Sequence, residues 1–102
     1  MATHLTKDNF DETITEGVTL VDFWAEWCGP CRMLGPVIEE LAEKFEGQHK
    51  ICKVNVDFEE ELSARYGVMT IPTVILFKDG VELDKRIGVY PAAEFEQMLS
   101  QV

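Results

Sequence analysis

Hydrophobic and polar positions change period several times along the 102-residue chain, and each change predicts an element. Val18 to Ala25 is nearly all apolar and rich in β-branched and aromatic side chains, the pattern of a strand buried on both faces. Leu34, Ile38, Leu41 and Phe45 recur at helical spacing, which puts a buried stripe on a helix that runs to about Glu46 and stops at Gly47. Glu39, Glu40, Glu43, Lys44 and Glu46 form its solvated side. Pro36, inside this helix, cannot donate to the carbonyl of Arg32 and is expected to kink the axis. Lys50 to Val56 alternates, with Cys52, Val54 and Val56 on one face and Ile51, Lys53 and Asn55 on the other, as in a strand. Val74 to Phe77 and Val81 to Ile87 read as two strands joined by the hairpin signal Asp79-Gly80.

Shorter elements complete the pattern. A short strand ends at Leu5-Thr6. Thr6 then caps a helix over Lys7 to Ile14, with Phe10 and Ile14 turned inward and Gly17 ending it. Asp57 and Glu60 have capping-box spacing for a helix through Tyr66, closed by Gly67. Pro91 starts the last helix, which buries Phe95, Met98 and Leu99; Tyr90 is a poor cap, so its first turn is expected to fray. Strand, helix, strand, helix, then hairpin and helix predict a three-layer α/β or α+β arrangement, one domain over residues 1–102.

The chemistry gathers at Trp27-Cys28-Gly29-Pro30-Cys31, between the first long strand and the first long helix. Cys28 falls at or just before a helix N-terminus, where free N–H groups and the positive end of the helix dipole stabilise an anion. The thiolate is the reactive form of cysteine. Pro30, lacking an N–H, suits a first helical turn. Residues three apart on a helix share a face, and a small adjustment brings two such cysteines to disulfide distance. Asp22 interrupts the apolar strand six residues before Cys28, and aspartate is rarely buried without a purpose or a partner. Lys53, on a neighbouring strand, is its candidate neighbour, while Cys52 reads as an inert buried thiol.

Charge and composition narrow the field. The net charge of −10 argues against nucleic acid and anionic membranes, which call for basic patches. No apolar run approaches the roughly 20 residues that span a bilayer, and Met1-Ala2-Thr3-His4 lacks the features of a signal peptide. Three cysteines, an odd and low count, fit a reducing cytoplasmic setting better than a disulfide-stapled scaffold. A zinc site needs four ligands, and Cys52, His4 and His49 lack paired spacing to complete one.

Taken together, these residues resemble the thioredoxin family. The likeness covers nearly the whole chain: Val21-Asp22-Phe23-Trp24-Ala25 before the cysteine pair, Pro36, Lys53-Val54-Asn55-Val56-Asp57, Ile71-Pro72-Thr73, and Phe77-Lys78-Asp79-Gly80 before Gly88. It implies a five-stranded mixed sheet flanked by four helices, with Pro72 cis and facing the cysteines. By the same resemblance Cys28 is the nucleophile, Cys31 resolves the mixed disulfide, Asp22 is the general base with Lys53 as partner, and Gly29 and Pro30 tune the redox pair. Trp27, Ile71, Pro72, Ile87 and Gly88 make the docking patch. The implied activity is reduction of protein disulfides by a monomer without a bound cofactor, its electrons coming from NADPH through a flavin-containing thioredoxin reductase. Arg32 stands where lysine is common, and Val89 where alanine is frequent. A glutathione-dependent glutaredoxin is the alternative enzyme, although it would carry Pro-Tyr between the cysteines. An oxidising or isomerising role is disfavoured by the absence of a histidine there. A binding module using the same surface is the alternative outside enzymes.

Overall fold

Strand β2 (Val18–Trp24) runs through the middle of a sheet whose order is β1-β3-β2-β4-β5 in a computed structural model describing residues 1–102. The partners are β1 (Thr3–His4), β3 (Lys50–Asn55), β4 (Thr73–Lys78) and β5 (Val81–Ile87). β3 pairs in parallel with both β1 and β2, while β4 pairs antiparallel with β2 and β5. Helices α1 (Phe10–Ile14), α2 (Gly29–Lys44), α3 (Glu60–Arg65) and α4 (Ala92–Ser100) cover its two faces. The long apolar run of β2 follows from this position: six of its seven residues are buried because helices lie on both sides.

Alternation along the strands divides the core. Leu20, Ile51, Val74 and Leu76 meet Leu34, Ile38 and Leu41 of α2 and Phe95, Met98 and Leu99 of α4. Val21, Phe23, Cys52, Val54, Ile75 and Phe77 meet Phe10 and Ile14 of α1 and Leu62 of α3. Phe10 and Tyr66 both approach Phe77 edge-on, with centroids 5.8 and 5.2 Å away. Asp22, two positions beyond Leu20, thus lies on the α2–α4 face, and Cys52 on the opposite one.

Three helix starts differ from the sequence expectation. The first helix begins at Phe10, not Lys7: the Asn9 side chain accepts from Thr6 N at 2.8 Å and the Thr6 hydroxyl from Asp8 N at 3.2 Å. These local bonds offer the backbone a turn in place of a helical one. Asp57 does not cap α3, which starts at Glu60 with no side-chain cap. Its own N–H is taken by Asn55 Oδ1 at 3.0 Å and its carboxylate faces Trp27. Pro91 occupies the N-cap of α4 and not its first turn; its extended ψ of 160° precedes helical Ala92. The hairpin expectation holds, with positive φ at both Asp79 (49°) and Gly80 (85°), as the tight turn between twisted strands requires.

Candidate active site

The end of β2 sets the site. After Trp24 the chain turns through Ala25 and Cys28, whose N–H donates to the Ala25 carbonyl at 3.3 Å, and enters α2 at Gly29. Cys28 is the N-cap residue, extended at φ −87° and ψ 113°, and Pro30 follows inside the first turn. In place of the usual hydroxyl or carboxylate cap, the Cys28 sulfur accepts the Cys31 backbone N–H at 3.2 Å. Cys28 and Cys31 form a disulfide with Cα atoms 5.2 Å apart, within the ordinary span for such a bond. Both residues are nearly covered, Cys28 at 5% exposure and Cys31 at 3%.

A rim surrounds the sulfurs. The Ile71 carbonyl oxygen lies 3.7 Å from Cys28 Sγ, and the Ile71–Pro72 peptide is cis. Pro72 is buried, while Ile71 is half-buried. The Pro72 carbonyl accepts from Gly88 N, and Ile87 stands opposite Thr73 in the β4–β5 register. Trp27 is 68% exposed, yet its indole N–H donates to Asp57 Oδ2 at 2.9 Å. Contacts thus link Cys28, Ile71, Pro72, Gly88 and Ile87 in sequence, and Trp27 flanks the pair along the chain.

Beneath the helix, Asp22 is 1% exposed and neither carboxylate oxygen has a hydrogen-bond partner. Burial in an apolar environment pushes its pKa up to about 7, and the positive charge of Lys53 offsets part of that rise. Lys53 is Asp22's direct neighbour in the β2–β3 register. Its ammonium, however, lies over the Trp24 ring, 4.3 Å from the centroid. Cys52 is fully buried, and desolvation pushes its thiol up to about 11 despite Lys50 nearby.

Comparisons with known proteins agree with this geometry. The thioredoxin family model matches residues 1–101. The chain is 48% identical over 97 residues to thioredoxin of Staphylococcus haemolyticus, covering 95% of this chain and 93% of that one. Over the same shares it is 46% identical to thioredoxin of Staphylococcus saprophyticus and 47% identical to that of Staphylococcus aureus. The chain belongs to the thioredoxin family. With its Cys28–Cys31 pair at disulfide distance, it is a thiol–disulfide oxidoreductase, a protein-disulfide reductase of the thioredoxin type.

Against that thioredoxin frame, two features of the site escaped the sequence. Asp57 was expected at a helix cap, whereas it holds Trp27 across 30 positions, a pairing with no periodic signature. Met33, Met69 and Val89 are exposed apolar side chains at 68, 95 and 42%, each two residues from Cys31, Ile71 and Ile87 respectively. They are close in the chain to Ile71, Ile87 and the cysteine pair, beyond the expected set of Trp27, Ile71, Pro72, Ile87 and Gly88. No group of three or more His, Cys, Asp or Glu side chains is arranged to hold a metal ion, and no helix is long and apolar enough to cross a membrane.

Proposed function

We propose that Cys28 is the attacking sulfur and Cys31 the resolving one in the reduction of protein disulfides, with residues 1–102 acting as one monomeric domain. The observation that carries this reading is the Cys28 sulfur at the N-cap of α2, accepting the Cys31 amide. A free thiol, with pKa about 8.5, is mostly protonated at neutral pH; an N–H donor and the helix dipole favour its ionised form. The Cys28 thiolate attacks one sulfur of a substrate disulfide, and the other substrate sulfur leaves as a thiolate. Cys31 then loses its proton and attacks Cys28 Sγ. The intramolecular disulfide forms, the second substrate thiolate departs, and the substrate has gained two electrons.

Asp22 is the acceptor for the Cys31 proton, through a water. Its raised pKa, near neutrality, suits a group that takes and returns a proton. Lys53 moderates that rise, and Gly29 and Pro30 shape the first turn that the disulfide must span. Trp27, Ile71, Pro72, Ile87 and Gly88 dock the substrate, the Ile71 backbone pairing with an extended segment beside the scissile bond. Two electrons then return the pair to the dithiol, supplied from NADPH by a flavin-containing thioredoxin reductase in the cytoplasm.

The test is reduction of an insulin-type disulfide with NADPH and thioredoxin reductase, set against glutathione with glutathione reductase. Turnover with the first donor and not the second is expected. Turnover only with the second would replace this reading by a glutaredoxin-like one. Cys31→Ser should accumulate a mixed disulfide on Cys28, and failure to trap any adduct there would remove the assigned order of attack.

A further inference from the structure

Lys53 has two neighbours from β2 on its face of the sheet. Asp22 stands directly opposite it in the parallel β2–β3 register, and Trp24 lies two residues farther along β2 on the same side. The ammonium sits over the indole, 4.3 Å from the ring centroid, while both Asp22 oxygens are left buried without a hydrogen-bond partner. We propose that Trp24 is a positioning residue of the redox site, whose π face holds the Lys53 ammonium off the Asp22 carboxyl and keeps that carboxyl unpaired. The inference rests on the reading of Asp22 as proton acceptor.

Magnitudes explain how one ring can decide the matter. A cation over the face of tryptophan is attracted by the ring's quadrupole, more so as it is desolvated. Closing the ion pair would draw a half-buried ammonium toward a carboxylate that is 1% exposed. Desolvating each ion there opposes the attraction between them and nearly cancels it. With the two large terms close to balance, the smaller contact with the ring tips the outcome. Lys53 then acts on Asp22 as a nearby charge and not as a bonded partner.

Other charges around Asp22 are committed or distant. On β1, His4 is opposite Lys53, and its ring is 6.3 Å from that of Trp24. Across β4, Val74 faces Asp22 and carries no charge; beyond it on β5, Arg86 is engaged by Glu94 of α4 and by Asp84, each at 2.9 Å. From α2 comes the uncharged Cys28–Cys31 disulfide. Lys53 is therefore the cation whose position can change the environment of Asp22.

The experiment follows the Asp22 carboxyl carbon by NMR through a pH titration of the oxidised protein. Wild type, Trp24→Phe and Trp24→Leu are compared, each with Lys53 and with Lys53→Met. With Lys53 present, the Asp22 midpoint should fall by about one pH unit or more in Trp24→Leu, as expected for a newly formed ion pair, and by less in Trp24→Phe. With Lys53→Met, neither change at Trp24 should lower it. An equal fall in both backgrounds would mean that water, not Lys53, reaches the carboxyl, and would overturn the proposal; so would no fall in either. Trp24→Phe keeps a ring in place and carries the comparison if Trp24→Leu does not fold. Turnover does not enter this readout, so a normal turnover rate in Asp22→Asn would remove Asp22 as proton acceptor without touching the titration result.

Discussion

The backbone N–H of Gly88 donates to the carbonyl of Pro72 at 2.9 Å, fastening the loop after β5 beside the sulfurs. Gly88 has φ +106°, and no atom lies within 4 Å of where a Cβ would point. A side chain there would meet open space but would strain the backbone and stand over the proposed docking rim. Gly88→Glu should raise KM for a protein disulfide about ten-fold, equivalent to ~1.4 kcal/mol of lost binding. Turnover of a small disulfide should change little. Equal losses with both substrates would count against docking at Gly88.

Asp22 makes stability depend on pH in a direction opposite to that of a salt-bridged carboxylate. Its folded pKa, about 7, lies above the ordinary 3.8, so the folded state binds the proton more tightly. Stability from this group is present below about pH 4 and declines as pH rises through 7. Asp22→Asn should therefore stabilise the fold at pH 8, by roughly 1–4 kcal/mol given about 1.4 kcal/mol per unit and partial relaxation of the site. The gain should vanish near pH 4. Urea unfolding at both pH values reads this out, and a gain that is the same at both would remove the buried-carboxylate explanation. Turnover should slow in the same variant.

The cysteines should separate by reactivity. In the reduced, folded protein at pH 6, iodoacetamide should modify Cys28 first and leave Cys52 untouched, because Cys52 is buried and its thiol is pushed up to about 11. Peptide mapping after timed quenching measures the order. Labelling of Cys52 at a rate matching Cys28 would contradict both the burial and the helix-end activation.

The Trp27 indole N–H has one partner, Asp57 Oδ2 at 2.9 Å. Asp57→Ala should free the indole, alter its fluorescence and raise KM for protein disulfides about three- to ten-fold. Thermal stability should move little, as for most exposed sites without a packing role. Asp57→Asn, which keeps an acceptor oxygen, should restore most of the KM. If Asn and Ala behave alike, the hydrogen bond is not what positions the ring.

The extent to which these features were legible in the sequence follows physical lines. The bounds of β5 matched expectation and β2 differed only at Ala25, because a continuous apolar run marks a strand covered on both faces and Asp79-Gly80 marks the turn before β5. The cysteine pair and Asp22 stood out as reactive or polar residues beside an apolar run. The starts of α1 and α3 did not, because Asn9 and Asn55 bond to backbone nearby and compete with the helical pattern. Lys53 could be placed on the correct face, yet spacing does not tell which of two neighbours an ammonium prefers. That choice depends on desolvation, which only the packed structure fixes.

Ala25, Cys28 and Cys31 form a small apolar cluster of their own, apart from the two large ones that grip the sheet. Only Trp24, Val56 and Ile71 are partly buried apolar side chains packed against it, so the sulfur–sulfur bond borders few neighbours. The reactive corner is thus a separate, sparsely packed unit, joined to the two main cores through a handful of side chains.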